Sequence, residues 1–169
     1  ETTIDSVRLD DISFSYEGAD EFAIKNISIS LSRGSIVGVT GQSGAGKSTF
    51  LDILMGLQKQ SSGSIFVNEQ ESKIFNNSEW FKQISYAPPS TALFKTNLEM
   101  NILFNASNSS IDEALKVVNL DFLNLDADLQ KQFSREDFSE GQLQRIGLAR
   151  SIARSDSDLI ILDEPTSAL

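Results

Sequence analysis

The sequence contains no cysteine and no histidine. Without cysteine there is no disulfide scaffold, no thiolate zinc site and no thiol nucleophile. Without histidine there are no imidazole metal ligands, and every Ser-His or Cys-His catalytic arrangement is excluded. Long apolar runs are lacking as well. None approaches the roughly 18 consecutive apolar residues of a membrane span. The first residues, Glu1-Thr2-Thr3-Ile4-Asp5, show neither the basic start nor the apolar stretch of a signal peptide. A cytoplasm-like compartment is expected. Positive charge is scarce: 14 Lys and Arg face 24 Asp and Glu, for a net charge of −10. That balance argues against a nucleic-acid partner, which wants a basic face. What is present is ordinary for a globular chain, 40% hydrophobic and 22% charged over 169 residues, about one domain's worth. Any chemistry must therefore run on carboxylates, lysine, hydroxyls, amides and backbone dipoles.

Periodicity predicts alternating strands and helices. Val7 and Leu9, then Ile12 and Phe14, read as a strand with an irregular step. Ile27, Ile29 and Leu31 alternate with Ser28, Ser30 and Ser32 in a second strand, ended by the Arg33-Gly34 turn. The β-branched run at residues 35–40 reads as a buried strand. Residues 47–57 read as a core helix closed near Gly56. Further strands are expected at residues 64–67, at 84–86 before Pro88-Pro89, and at 158–162. Residues 97–130 look helical, with breaks near 105–110. Residues 139–154 form a strong helix pattern, with Leu143, Ile146, Ala149 and Ile152 or Ala153 on one face. The expected class is α/β with a mostly parallel sheet, a smaller antiparallel β part at the N-terminus and a helical middle.

Gly41-Gln42-Ser43-Gly44-Ala45-Gly46-Lys47-Ser48 fits G-x-x-x-x-G-K-[ST], with Thr49 following. A predicted strand precedes it and a predicted helix follows. Glycines let the backbone curl so that successive N–H groups point at a phosphate. The helix start adds partial positive charge. Lys47 supplies a full charge to the β- and γ-phosphates, and the Ser48 hydroxyl can ligate Mg²⁺. The alternative is a chance glycine-rich turn.

Leu159-Ile160-Ile161-Leu162-Asp163-Glu164 is an apolar strand ending in two acids. Ligands of such sheets bind at the carboxyl ends of strands. Asp163 is expected in the Mg²⁺ shell, and Glu164 as the base that polarises the attacking water. The alternative is that acids merely end a strand before Pro165. Ser139 and Gln142 have capping-box spacing at the start of the long helix. By physics alone this is an ordinary capped helix, with Arg145, Arg150 and Arg154 on a solvated side. An exposed helix start with a Ser hydroxyl and the Gly141 amide could also meet an anion.

Phe138-Ser139-Glu140-Gly141-Gln142, followed by Gln144-Arg145 and Ala149-Arg150, resembles the signature motif of ATP-binding-cassette (ABC) ATPases. Residues 41–49 then resemble Walker A and residues 159–164 Walker B, in the family's order across the whole chain. Thr49 and Ser139 are 90 positions apart, which suits a transporter cassette rather than relatives with a coiled-coil insertion. The resemblance implies a P-loop NTPase core with an antiparallel β subdomain and a helical subdomain. Residues 1–90 and 140–169 would form the core with its β subdomain, and residues 91–139 the helical subdomain. It further implies that Tyr16 stacks on adenine and that Gly41, Gln42, Ser43, Gly44, Ala45, Gly46, Lys47, Ser48 and Thr49 hold the phosphates. Ser139, Gly141 and Gln142 would complete the ATP site of a partner cassette. Lys47 and Glu164 would be catalytic, and Ser48 and Asp163 would hold Mg²⁺. Residues 93–102 and 166–169 resemble segments of exporters.

The resemblance thus implies an exporter cassette that binds and hydrolyses ATP. It would pair head to tail with a second nucleotide-binding domain and couple to a transmembrane domain at the cytoplasmic face of the cell membrane. The fragment itself would be soluble and C-terminally truncated, with the D-loop aspartate and switch histidine beyond Leu169. Two positions depart from the family pattern. Pro89 stands where the family carries the Q-loop glutamine, and Glu140 stands where it usually carries glycine. These departures favour the alternative of a regulatory cassette with little hydrolysis. A soluble P-loop kinase is a third reading, which the signature segment opposes.

Overall fold

A computed structural model describes residues 3–104, 111–120, 122–154 and 156–166. It divides into two compact units, Glu1–Ile84 and Ser85–Leu169.

The first unit is built on a four-stranded antiparallel sheet. Strand β1 (Ser6–Phe14) lies between β2 (Ile24–Ser32) and β3 (Ser62–Val67), and β4 (Gln70–Glu71) pairs on β3. Leu9 faces Ile29 across the β1–β2 ladder, and Ile12 faces Ile27. The register shifts between them because Asp11 adopts a left-handed φ of 50°. That extra residue is what brings both Val7–Leu9 and Ile12–Phe14 to the buried side, and it is the irregular step expected from sequence. Its backbone N–H is satisfied by the Ser28 hydroxyl at 2.9 Å. At the β3–β4 turn, Asn68 and Glu69 both take positive φ, matching the twist of a two-residue hairpin. The Asn68 side chain accepts from the Asp5 and Ser6 amides at 2.7 and 3.1 Å, which ties the start of the chain to the hairpin.

Helix α1 (Lys47–Leu54) buries Thr49, Phe50, Ile53 and Leu54. Its C-terminus is closed as the glycine predicted. Gly56 sits at φ 77° and donates to the Ile53 carbonyl at 2.9 Å, while the Leu57 amide donates to Asp52 at 2.8 Å. This paired closure satisfies carbonyls the helix leaves open. Trp80, on the short helix α2 (Ser78–Lys82), donates its indole N–H to the Leu54 carbonyl at 3.0 Å. The tryptophan thereby meets its own buried donor and one more helix-end acceptor.

One expected strand is absent. Residues 35–40 form no strand among the described residues, and Ile36, Val37 and Val39 are exposed. β-branched residues favour a pleated surface only where a neighbour supplies the ladder and the burial, and nothing described pairs with this segment.

The second unit places strand β5 (Ile84–Ala87) beside β6 (Leu159–Leu162). Between them run α3 (Leu98–Ile102), α4 (Ile111–Val117), α5 (Leu125–Asp128), a 3₁₀ turn (Arg135–Asp137) and the long α6 (Glu140–Ala153). Leu98, Ile102, Ala114, Val118, Leu120, Ile146, Ala149 and Ala153 form its buried cluster. Of the α6 stripe foreseen from sequence, Ile146, Ala149 and Ala153 join this cluster with Ile152 partly buried against it, and Leu143 is buried as well. The predicted break near 105–110 lies outside the described residues. The α/β class, with an antiparallel β part and a helical middle, is the one observed.

Replacing Gly56 tests the helix closure. A Cβ there would lie 2.4 Å from the Ile74 carbonyl oxygen, at a φ that L-residues resist. Gly56→Ala is expected to destabilise the first unit by about 2–4 kcal/mol. Urea denaturation followed by emission of the single tryptophan measures it, and an unchanged midpoint would refute the closure.

Candidate functional site

In the first unit the glycine-rich loop leads directly into α1. Gly46 is the N-cap of α1 at φ 82°, and no side chain caps it. A Cβ at this position would stand 2.3 Å from the Ala23 carbonyl oxygen, so close approach as well as torsion requires glycine. The first N–H groups of α1 therefore face the loop without a side-chain acceptor, an arrangement suited to an anion. The Lys47 ammonium is held at the loop: Nζ donates to the carbonyls of Gly41 and Gln42, each at 2.9 Å. The Ala45 amide closes a turn onto Gln42 at 3.2 Å. Residues 41–45, including Ser43 and Gly44, are exposed, whereas Thr49 is buried in the first turn. Ser48 is the second residue of α1.

Tyr16 belongs to the same unit. It lies two residues beyond β1, and its hydroxyl is 3.0 Å from Thr49 Oγ1. Phe14 packs against it edge to face at 4.9 Å. Tyr16 is 49% exposed.

In the second unit Asp163 follows β6 and is held by β5. Its amide donates to the Ala87 carbonyl at 3.0 Å, and Tyr86 donates its hydroxyl to Asp163 Oδ2 at 3.2 Å. Glu164 adopts a left-handed φ of 49°, uncommon for this residue type. Its backbone carbonyl accepts from Gln144 Nε2 at 2.7 Å. Gln144 is only 2% exposed, so α6 is tied to the loop after β6 by a buried amide. Pro89 is exposed just past β5 and presents no side-chain donor.

The capping box at the start of α6 is fully formed. Gln142 N–H donates to Ser139 Oγ at 3.3 Å, and Ser139 N–H donates to Gln142 Oε1 at 2.8 Å. Gly141 is the second residue of the helix. Arg135, on the preceding 3₁₀ turn, pairs with Glu140 and reaches the Thr91 carbonyl at 3.4 Å. The acid that departs from the signature therefore has a cationic partner. Arg150 does not lie on a solvated side. Its Nε donates to the Asn101 carbonyl at 2.8 Å and its Nη2 to the Ala92 carbonyl at 3.0 Å. Burial lowers its pKa from the ordinary value.

The structure therefore brings residues 41–49 and Tyr16 into one unit. It brings residues 139–142, Asp163 and Glu164 into the other. Ser167, Ala168 and Leu169 lie outside the described residues. Three partners were not singled out from sequence: Tyr86 for Asp163, Gln144 for Glu164 and Arg135 for Glu140. Each bond crosses from one element to another, and only the position of Gln144 within the signature-like segment hinted at it.

A glycine-rich loop that leads into an uncapped helix start beside a lysine is an arrangement suited to an anion such as a phosphate. The family model described as ABC transporter matches residues 24–167, and the chain belongs to the ABC transporter family. It is similar to a protein of Rickettsia conorii that carries the name export ATP-binding/permease protein, with 30% identity over 97% of this chain and 30% of that protein. It is 37% identical to ABC transporter B family member 26, chloroplastic, of Arabidopsis thaliana, over 94% of this chain and 24% of that protein. Its structure matches that of a bacterial Atm1-family ABC exporter with ATP bound, with a TM-score of 0.84 and 26% identity, covering 98% of this chain and 30% of that one. The chain thus spans less than a third of the length of these proteins. No described helix is long and apolar enough to cross a membrane.

The capping box yields a test. Ser139→Ala is expected to destabilise α6 by about 1 kcal/mol, whereas Ser139→Gly costs only a few tenths. Urea denaturation followed by far-ultraviolet circular dichroism checks both, and an unchanged midpoint for Ser139→Ala would deny the hydroxyl its capping role.

Proposed function

We propose that this chain is the ATP-binding and ATP-hydrolysing cassette of an exporter. The observation that carries the reading is the Lys47 ammonium, held 2.9 Å from two loop carbonyls beside an uncapped helix start. Backbone N–H groups of residues 41–49, the α1 start and Lys47 would hold the triphosphate, with Tyr16 against the adenine. Moving Nζ from neutral carbonyls to phosphate oxygens pairs the ammonium with charged acceptors and adds an ion–ion attraction to each bond. Ser48 and Asp163 supply hard oxygen donors of the kind Mg²⁺ takes. When bound, the ion neutralises phosphate charge and orients the γ-phosphate.

Glu164 is the proposed base, accepting a proton from the attacking water. With its backbone carbonyl anchored by Gln144, the residue has a fixed main-chain position from which to do so. Ser139, Gly141 and Gln142 would donate to the γ-phosphate held by a second cassette in a head-to-tail pair, where charge develops. Closure and reopening of that pair would be passed to a transmembrane domain. The alternative of a regulatory cassette with little hydrolysis keeps one observation in its favour, the missing amide at Pro89. Its second support is weakened, because Glu140 is paired with Arg135.

Two measurements test the reading. Lys47→Ala is expected to weaken MgATP binding on the order of 100-fold, read by calorimetry; unchanged affinity would remove the phosphate-loop assignment. Glu164→Gln in the intact protein is expected to slow phosphate release about 100-fold or more while MgATP stays bound. Undiminished turnover would remove Glu164 as the base, and negligible turnover by the unaltered protein would favour the regulatory reading.

A further inference from the structure

The contact between Tyr16 and Thr49 links two parts of the proposed nucleotide site that sequence treats as separate. Thr49 stands in the first turn of α1, only 7% exposed. Its hydroxyl is 3.0 Å from that of Tyr16, 33 positions earlier in the chain. Tyr16 is fixed at two further points. Its carbonyl accepts from the Ala19 amide at 3.0 Å, and its ring meets Phe14 at an interplanar angle of 85°. Nonetheless about half of the residue remains open to solvent. An exposed tyrosine without such fixing samples several rotamers and loses that freedom when a ligand stacks on it. A ring already held in place loses less, and preorganisation appears as affinity.

We infer that Thr49 is a positioning residue for the base platform: its hydroxyl tethers the Tyr16 ring to α1, so that the platform is registered to the phosphate loop before a nucleoside triphosphate binds. The inference rests on the phosphate-loop reading above and goes beyond it. A tether of this kind acts on the base. It contributes to binding of a nucleoside triphosphate more than to binding of a bare polyphosphate chain. It also makes the two hydroxyls a single unit, because removing either one releases the ring.

The test is calorimetric titration of this chain with MgATP and with magnesium tripolyphosphate. Wild type, Tyr16→Phe, Thr49→Val, the double variant and Thr49→Ser are compared. Each of the first two single variants is expected to lose about three- to tenfold in MgATP affinity, the worth of one hydrogen bond. The double variant should lose no more than the weaker-binding single variant. Losses for tripolyphosphate should be smaller, and Thr49→Ser should stay within about twofold of wild type, since it keeps the hydroxyl. Additive losses, or equal losses for the two ligands, would overturn the tether. So would a wild-type chain that binds tripolyphosphate as tightly as MgATP, an outcome that leaves the phosphate loop standing. Binding of neither ligand by wild type overturns both readings. Should Thr49→Val not fold, Tyr16→Phe at its half-exposed position carries the ATP-against-tripolyphosphate comparison, and an undiminished ATP preference there refutes the tether.

Discussion

An α-helix begins with four backbone N–H groups that have no partner inside it, and this protein treats that constraint in two opposite ways. At α1 the N-cap is Gly46, which has no side chain to offer and leaves no room for one beside the Ala23 carbonyl. The donors stay available, and the nearest cation, Lys47, is folded onto the loop beside them. At α6 the constraint is met internally. Ser139 and Gln142 exchange side chain for backbone in both directions. One helix start is kept open at the cost of local satisfaction; the other is closed and rigid. Most of the proposed chemistry depends on that contrast.

An open N-terminus needs a helix held firmly elsewhere. Propensity alone would not hold an eight-residue helix such as α1, since isolated helices of that length are marginal in water. Its far end is secured instead. Gly56 turns the chain back, the Leu57 and Gly56 amides take two carbonyls, and the Trp80 indole takes a third. Phe50, Ile53 and Leu54 add burial, each worth about 1.5–3 kcal/mol before entropy is counted. The glycines at the two ends of α1 thus have different jobs. Gly46 leaves donors unmet, and Gly56 meets acceptors.

What could be read from sequence follows from where each constraint is local. The turn from the glycine-rich loop into α1 was legible because the left-handed torsion of the glycine at its N-cap is a steric constraint local to the chain. The capping box was legible for the same reason, and so was Gly56. The step in β1 showed in the phase change between Leu9 and Ile12, although only Asp11 and its Ser28 partner explain it. Residues 35–40 were misread because a β-branched run states what a strand prefers, not whether a ladder is present. Arg150 was misread for a related reason: helical spacing placed it off the apolar stripe, but the chain from Ala92 to Asn101 covers it with carbonyls. Arg135 and Tyr86 were invisible as partners, and Gln144 only hinted at, because each bond joins elements that only the fold brings together.

The closed start of α6 and its proposed role toward a partner's nucleotide are compatible on hydrogen-bond grounds. A serine hydroxyl has one donor and two acceptor positions. The capping bond from the Gln142 amide uses one acceptor and leaves the proton of Ser139 free to be donated. Gln142 spends its side-chain oxygen on the Ser139 amide, and its NH₂ group keeps both donors. The capping box therefore fixes the orientation of the very groups that would meet an anion, and preorganised donors lose no reorganisation energy when charge develops. Glu140 works against this, since a carboxylate in the first turn opposes an approaching phosphate. It also favours the helix start by interacting with the macrodipole. Its pairing with Arg135 lets the chain keep the second effect while muting the first, because an adjacent cation cancels most of the acid's field at longer range.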